Sequence, residues 1–545
     1  MTTPTPPAAP VSIPRLADIP DLLGHLGRLP SEAPALTFYR GRTRQAHQTY
    51  GGLLAAVERF TRRLRDDLGV RSGDCVAVLA PNRLEVPALL LATMRLGAAV
   101  VPLNPTTPPA DWDYILQHSA ARLIFGTREL LGRLVRRPSQ TCAFEDEPAA
   151  ALDDDSGRVP IAAEPGALAA TRAVVLYTSG TTGNPKGVAL GQGSLLANGW
   201  SMAVNFRFDR ETQFAVLPLY HAHALGFGLM TTLVSGGHLV FAERFDPFSW
   251  ATVLQAEAVT LTSVVPTLLP PLLQVNVRRD KFPTLRAMLV SSAPLSVALA
   301  RTFETQTEIP LIQGWGLSEY TNFACCLSPD LPDGERRRLL QEGELTSIGG
   351  PLAGTEVEVA GPDGVSLPAG ARGELRVRGH STMLAYFNDP AATAATLGAD
   401  GWLRTGDEGF FEVDPLSGRR SFFITGRIKE TIIRDGDKFS PLAIERQLLG
   451  QVPELEGRLV VLGFPHDVHG EEIGLYVEEA ELTETTRAAL TKATTDMPID
   501  ARPKIILHGT TPIPRTHTGK IQRRKLLPLF APFGASRGAL RIERA

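Results

Sequence analysis

Residues 177–188 read YTSGTTGNPKGV, and their types are those of an anion grip. Gly180, Gly183 and Gly187 let the backbone turn tightly and bring N–H groups close to a bound anion. The hydroxyls of Thr178, Ser179, Thr181 and Thr182 add donors, and Lys186 adds a point charge. The pattern differs from the common nucleotide loop, in which Gly-Lys-Ser/Thr follows four free positions. Here the lysine precedes its glycine. The plain alternative is a Ser/Thr/Gly surface loop. Further motifs downstream serve the same chemistry and oppose that alternative.

Residues 313–319, QGWGLSE, are the second such stretch. Trp315 stands between Gly314 and Gly316, so its ring can lie flat on a base. Ser318 offers a hydroxyl to a phosphate, and Glu319 offers a hard oxygen to Mg²⁺. At 405–407, TGD, the two oxygens of Asp407 can accept two hydroxyl donors at once. Residues 285–296 read as a strand ending in small residues, Ser292, Ala293 and Pro294, as close approach of backbone to a planar ring requires. In LPLYHAHALG, 217–226, a strand end delivers His221 to a loop. His221 and His223 lie at i and i+2, but no third metal ligand stands nearby in sequence. A pocket wall or plain core packing are the competing readings.

In their order along the chain these motifs resemble the adenylate-forming, AMP-binding superfamily: acyl-CoA synthetases, aryl-CoA ligases, luciferases and adenylation domains of peptide synthetases. The resemblance spans about residues 36–527. It implies that 177–188 holds the β- and γ-phosphates of ATP. Ser292, Ala293, Pro294, Gly314, Trp315 and Gly316 would lie against adenine and substrate, and Ser318 near the α-phosphate. Glu319 would hold Mg²⁺, and Asp407 the ribose. Arg427 matches a residue that contacts ribose and phosphate. Tyr220, His221 and Gly226 would line the acyl pocket. Lys429, in GRIKETIIRDGDKF, occupies the pivot position. Gly436 matches the glycine past which a pantetheine thiol threads, although relatives carry Gly or Ser where this chain has Asp435. Lys520, in PRTHTGK, matches a mobile catalytic lysine. The catalytic group expected is therefore Lys186, His221, Glu319 and Lys520.

Positioning such a site needs a large scaffold. The chain has 545 residues, 43% hydrophobic and 21% charged, with net charge -3. That balance gives no reason to expect nucleic-acid or membrane-surface binding. Cys75, Cys142, Cys325 and Cys326 lack disulfide or metal spacing, which suits reduced thiols and a cytoplasmic location. Apolar runs at 86–103 and 224–242 are broken by Arg95, or by glycines and His238, so neither reads as a membrane span.

A strand is expected at 35–39, a helix with apolar residues at helical spacing at 49–68, a short buried strand at 74–79, a helix closed by Gly97 at 84–96 and a strand at 98–102. Strand–helix alternation continues to about 311, which argues for α/β units with parallel sheets. Residues 330–345 read as a charged loop. From 347 to 425, short alternating strands suggest a small antiparallel, β-barrel-like part. The C-terminal stretch alternates strands with a helix near 484–493. The domain reading is a disordered tail at 1–20, a large N-terminal α/β domain at 21–428, a small mobile C-terminal α/β domain at 429–531 and a loose tail at 532–545. Arg523, Arg524 and Lys525 read as a solvated basic face.

The expected function is acid activation. A carboxylate attacks the α-phosphorus of ATP, pyrophosphate leaves, and a thiol then displaces AMP to give an acyl thioester. The thiol belongs to coenzyme A or to the phosphopantetheine of an acyl carrier protein. A stand-alone adenylation enzyme loading an acyl or amino acid onto a carrier is the alternative. A nucleotide-binding pseudoenzyme is a third reading, opposed by intact Lys186, Glu319, Asp407 and Lys520. The Tyr220-His221 pair, without an aspartate, predicts an acid lacking a free α-ammonium group. The particular acid, and the oligomeric state, are not encoded in any motif.

Overall fold

The computed structural model describes residues 13–147, 166–178, 185–516, 519–536 and 540–545. Among the described residues the strands form three sheets, of seven, thirteen and six strands. In the seven-stranded sheet, Cys75–Leu79 pairs in parallel with Ala99–Leu103 and Leu123–Gly126. Every residue of Cys75–Leu79 is buried, as a parallel strand covered on both faces requires. The helix Glu85–Arg95 crosses between the first two strands, and Gly97, at φ +72°, lets the chain turn back after it. Arg172–Thr178 joins this sheet beside Ala99–Leu103 and folds back, antiparallel, into Lys186–Gly191. Thr178 is the register partner of Lys186, so the predicted phosphate grip is the connection of a β-hairpin.

The thirteen-stranded sheet has a parallel half of Pro34–Arg40, His238–Ala242, Thr212–Ala215, Leu261–Val264, Ala287–Val290 and Leu311–Gly316. Its direction reverses at Phe323–Cys326, which pairs antiparallel with Leu311–Gly316. The sheet then runs on through Ser347–Pro351, Arg420–Arg427, Leu403–Val413, Gly373–Gly379 and Thr355–Ala360. The β-rich stretch expected at 347–425 is thus the antiparallel continuation of the parallel sheet.

The six-stranded sheet is built from Ile432–Arg434, Asp437–Phe439, Leu459–His466, Gly470–Glu478, Ile505–Gly509 and Arg541–Arg544. Helices Pro441–Leu449 and Glu484–Thr495 supply Ile444, Leu448, Leu490 and Ala493 to its own apolar core. A short 3-10 turn, Ile428–Glu430, connects it to Arg420–Arg427. Among the described residues, no helix is long and apolar enough to cross a membrane.

Four expectations need correction. Residues 13–20 are packed rather than loose: Ile19–Leu26 is a helix capped by Asp18, and the N–H of Ile19 donates to Gln192 Oε1 at 2.9 Å. Residues 1–12 of the expected tail lie outside the described residues. The charged stretch 330–345 contains the helix Asp333–Gln341, which buries Leu339 and Leu340 and inserts Arg336 against buried Glu304. Its polar surface masked that apolar face in the sequence. The expected loose C-terminus includes Arg541–Arg544, a strand parallel to Ile505–Gly509. Arg523 is not on a solvated face. It makes paired bonds to Glu445 at 2.8 Å and an ion pair to Glu430 at 3.3 Å.

Candidate active site

The site lies where parallel strands end and the large sheet reverses, the position at which open α/β sheets present ligands. Ser291 to Pro294 follow the strand Ala287–Val290, and Trp315 to Glu319 follow or finish Leu311–Gly316. Only glycine fits at 316: a Cβ there would come within 1.6 Å of the Asn322 carbonyl oxygen. The same close approach lets the following 3-10 turn, Ser318–Tyr320, place Ser318 and Glu319 at the sheet end.

Three groups of side chains meet here. In the first, Asp407 and Arg427 face each other on paired antiparallel strands. Arg427 Nε stands 3.1 Å from Asp407 Oδ1, and Trp315 Nε1 donates to Asp407 Oδ2 at 3.0 Å. Asp407 is buried, so its charge depends on those two partners. Lys520 joins this group from the small domain. Its turn is closed by Thr516 N donating to Lys520 O at 2.8 Å, and Gly519 packs on Thr267 of the large domain. Burial first, then the Arg427 charge, pull the Lys520 ammonium down to about 8, and Asp407, Glu430 and Glu319 partly oppose that. Trp315, Asp407 and Arg427 are therefore in direct contact, and the Arg427 and Asp407 charges both act on Lys520.

The second group holds Glu319 and Lys186 through a residue that the motif reading missed. Tyr386 donates its hydroxyl to Glu319 Oε1 at 2.7 Å, and Lys186 Nζ sits 4.9 Å from the centre of the same ring. Burial and the Glu319 carboxylate push the Tyr386 phenol well above its ordinary range. Tyr386 arrives because the two-residue strand Ala385–Tyr386 pairs with Val188 and Ala189 beside the hairpin. A contact across 67 positions leaves no periodic signal in the sequence. Glu319, with one oxygen bonded by Tyr386, is the carboxylate of this group that could hold a hard cation such as Mg²⁺. A single carboxylate suits a cation that keeps waters and phosphate oxygens. Ser179, Gly180, Thr181, Thr182 and Gly183 of the grip lie outside the described residues.

The third group is the expected acyl wall. The Tyr220 and His221 rings lie 4.7 Å apart, tilted by 54°, and burial pushes the Tyr220 phenol up to about 12. His223 is buried, bonded through Nδ1 to Ser291 Oγ at 2.9 Å and Ser292 Oγ at 3.2 Å. Burial, then His221, push it down to about 3, so it is neutral near pH 7. Gly226 lies in the buried π-helical turn Ala224–Met230 against the Asn322 side chain. Ser292 adopts φ +71° and is exposed, as is Pro294, with Ala293 half-buried between them. Among the described residues no cluster of three metal-binding side chains forms.

Two predicted residues stand elsewhere. Lys429 is exposed in the connecting turn Ile428–Glu430. Asp435 and Gly436 form a two-residue turn between Ile432–Arg434 and Asp437–Phe439, with φ +53° and +91°. Both positive angles mark the type I′ hairpin for which Asp-Gly is a favoured pair. That accounts for Asp435 where the resemblance led one to expect Gly or Ser.

Residues 25–387 match the model of the AMP-binding enzyme family. The sulfoacetate–CoA ligase of Cupriavidus necator is 34% identical over 476 residues, covering 84% of this chain and 88% of that protein. A feruloyl-CoA synthase from Amycolatopsis is 32% identical over 433 residues, covering 78% and 82%. In fold, the o-succinylbenzoate CoA synthetase of Bacillus subtilis bound to its acyl-adenylate superposes with a TM-score of 0.77 at 24% identity, covering 93% of this chain and 97% of that one. The chain belongs to the AMP-binding enzyme family. Its activity is that of an AMP-forming acid–thiol ligase: it activates a carboxylic acid with ATP and passes the acyl group to a thiol.

Proposed function

We propose that the thiol is that of coenzyme A, that the acid carries no free α-ammonium group, and that the residues assembled above carry the two steps. The observation that supports this most is the Asp407 carboxylate held between Arg427 Nε at 3.1 Å and Trp315 Nε1 at 3.0 Å. In the first step the acid's carboxylate attacks the α-phosphorus in line, and pyrophosphate departs. Such a transfer depends on positioning and charge neutralisation. Asp407 accepts the ribose hydroxyls, with Arg427 beside it for ribose and phosphate. Lys520 neutralises charge at the reacting phosphate. Lys186 and the hairpin connection hold the departing phosphates, with Ser318 near the α-phosphate. Mg²⁺, held by ATP and Glu319, supplies further neutralisation when bound.

In the second step the small domain turns about Lys429, Lys520 withdraws, and the Gly436 turn approaches the acyl-adenylate. One mobile domain then serves two reactions in sequence. Coenzyme A is favoured over a carrier's phosphopantetheine because the relatives cited above are named as CoA ligases or synthases.

The acid assignment rests on the wall at Tyr220 and His221. A buried ammonium without a carboxylate partner costs roughly several kcal/mol. Histidine cannot supply that partner, being neutral or positive near pH 7. Neighbouring Leu225, Phe227 and Leu229 are buried and apolar. ATP–pyrophosphate exchange with fatty, aryl and α-amino acids at equal concentration, repeated with His221→Asp, tests the reading. The wild type is expected to prefer a non-amino acid. Preference for an α-amino acid overturns it.

A further inference from the structure

A thiol attacking an acyl-adenylate must lose a proton to an acceptor. His223 is fixed by Ser291 and Ser292 and stays neutral far below pH 7. Lys186 holds phosphates, and Lys520 has withdrawn by this step. An acceptor is present elsewhere, beside the Gly436 turn. His469 Nδ1 donates to Asp435 Oδ1 at 2.8 Å, and Asp435 N donates to His469 O at 3.1 Å. These two bonds tie the turn before Gly436 to the connection between Leu459–His466 and Gly470–Glu478.

His469 is held from behind as well. The His466 ring stacks on it at 4.8 Å and 17°. His466 Nε2 donates to the Ser536 carbonyl at 2.9 Å, while its Nδ1 accepts from Val468 N and His469 N at 3.3 Å each. The His469 side chain nevertheless keeps 30% of its surface exposed. With Nδ1 occupied by Asp435, Nε2 is the nitrogen able to take a proton. An acceptor imidazole oriented by a carboxylate is the arrangement that activates nucleophiles in unrelated enzymes.

We propose that His469 is the general base of the thioester-forming step and that Asp435 is its positioning residue. The proposal rests on the reading above that the Gly436 turn reaches the acyl-adenylate. The thiol S–H proton passes to His469 Nε2. The sulfur forms its bond to the acyl carbonyl carbon, the bond from that carbon to the AMP phosphate oxygen breaks, and AMP leaves. The imidazolium then returns the proton to water. Asp435 holds the tautomer with Nδ1–H and stabilises the transient positive charge. The turn's departure from Gly or Ser is thereby given a use beyond hairpin geometry.

The test is single-turnover conversion of preformed acyl-AMP by coenzyme A, with pyrophosphate exchange measured on the same preparations to certify folding. His469→Ala is expected to lower the maximal rate of thioester formation by about 10²-fold, the lower end for a lost general base. Asp435→Asn is expected to lower it less, in the same step. For both, the deficit should shrink with a pantetheine analogue bearing a more acidic thiol, since less proton transfer is then required. A merely structural role would not respond to thiol acidity. Gly436→Trp, which fills the thiol's path, separates this proposal from the reading beneath it. If Gly436→Trp blocks thioester formation while His469→Ala leaves the maximal rate unchanged, or changes only the KM for coenzyme A, the base assignment is overturned. If Gly436→Trp makes thioester normally, the tunnel reading fails and the base assignment falls with it.

Discussion

Asp407 and Arg427 are register partners on adjacent antiparallel strands, and their side chains close a 3.1 Å ion pair. The strands fix both backbones, so neither side chain has to search for the other. Arg427 is also the last residue of its strand, directly before the connecting turn that carries Lys429. The same arginine therefore borders Asp407 on one side and the interdomain connection on the other. Burial first, then the Arg427 charge, depress the Lys520 ammonium, while Asp407 sustains it.

That balance predicts a pH dependence. Lys520 loses its proton as pH rises through about 8 instead of its ordinary 10.5. The unfolded chain holds that proton more strongly than the folded one. Protonated Lys520 thus costs stability below about 8, and the cost fades between 8 and 10.5. For catalysis the sign is opposite, because the cation is the useful form. kcat/KM for ATP, which reports the free enzyme, is expected to fall above about pH 8. Lys520→Arg, always charged, should abolish that alkaline fall even if it lowers the plateau. Pyrophosphate exchange from pH 6 to 10 measures both, and an unchanged alkaline limb in Lys520→Arg assigns it to another group.

Tyr386 bridges Glu319 and Lys186. Tyr386→Phe keeps the ring under the Lys186 ammonium and removes the hydroxyl that orients Glu319. Exchange activity is expected to drop about tenfold, the scale of one charged hydrogen bond, with a raised Mg²⁺ requirement. Titrating Mg²⁺ against exchange rate checks it. Equal Mg²⁺ curves would show that the hydroxyl does not serve the metal site.

Lys429→Pro should spare pyrophosphate exchange and block thioester formation, since a fixed φ hinders rotation at the connection. Both half-reactions are measured on one preparation. Thioester made at the normal rate means that the pivot is elsewhere.

Arg523 neutralises two carboxylates, Glu445 and Glu430, and burial pushes the Glu445 carboxyl up despite that partner. Arg523→Met leaves Glu445 buried and uncompensated, a loss of about 3–5 kcal/mol. Thermal unfolding should show a lower Tm, with part of the loss recovered by Arg523→Met combined with Glu445→Gln. A Tm equal to wild type would mean that the pair contributes nothing.

The parts of this molecule legible in the sequence were those that need particular residue types. Gly314 and Gly316 are forced by contacts with Phe323 and Asn322, and TGD and QGWGLSE carry their chemistry in adjacent positions. Some positions followed from short apolar runs and their glycine stops, as with Cys75–Leu79 and Glu85–Arg95 before Gly97. Tyr386 and His469 were not legible as partners, because Glu319 and Asp435 lie 67 and 34 positions away and only the folded sheets bring them near. Arg523 was misread because a basic run looks the same whether solvated or paired with Glu445 and Glu430.

The central claim is that Lys520 serves acid activation and not thioester formation. The direct measurement is the pair of half-reaction rates for Lys520→Ala: pyrophosphate exchange with the preferred acid, and thioester formation from preformed acyl-AMP. The account predicts exchange reduced by about 10²–10³-fold, as for one lost transition-state contact, with thioester formation from acyl-AMP close to wild type. Equal damage to both half-reactions would contradict it.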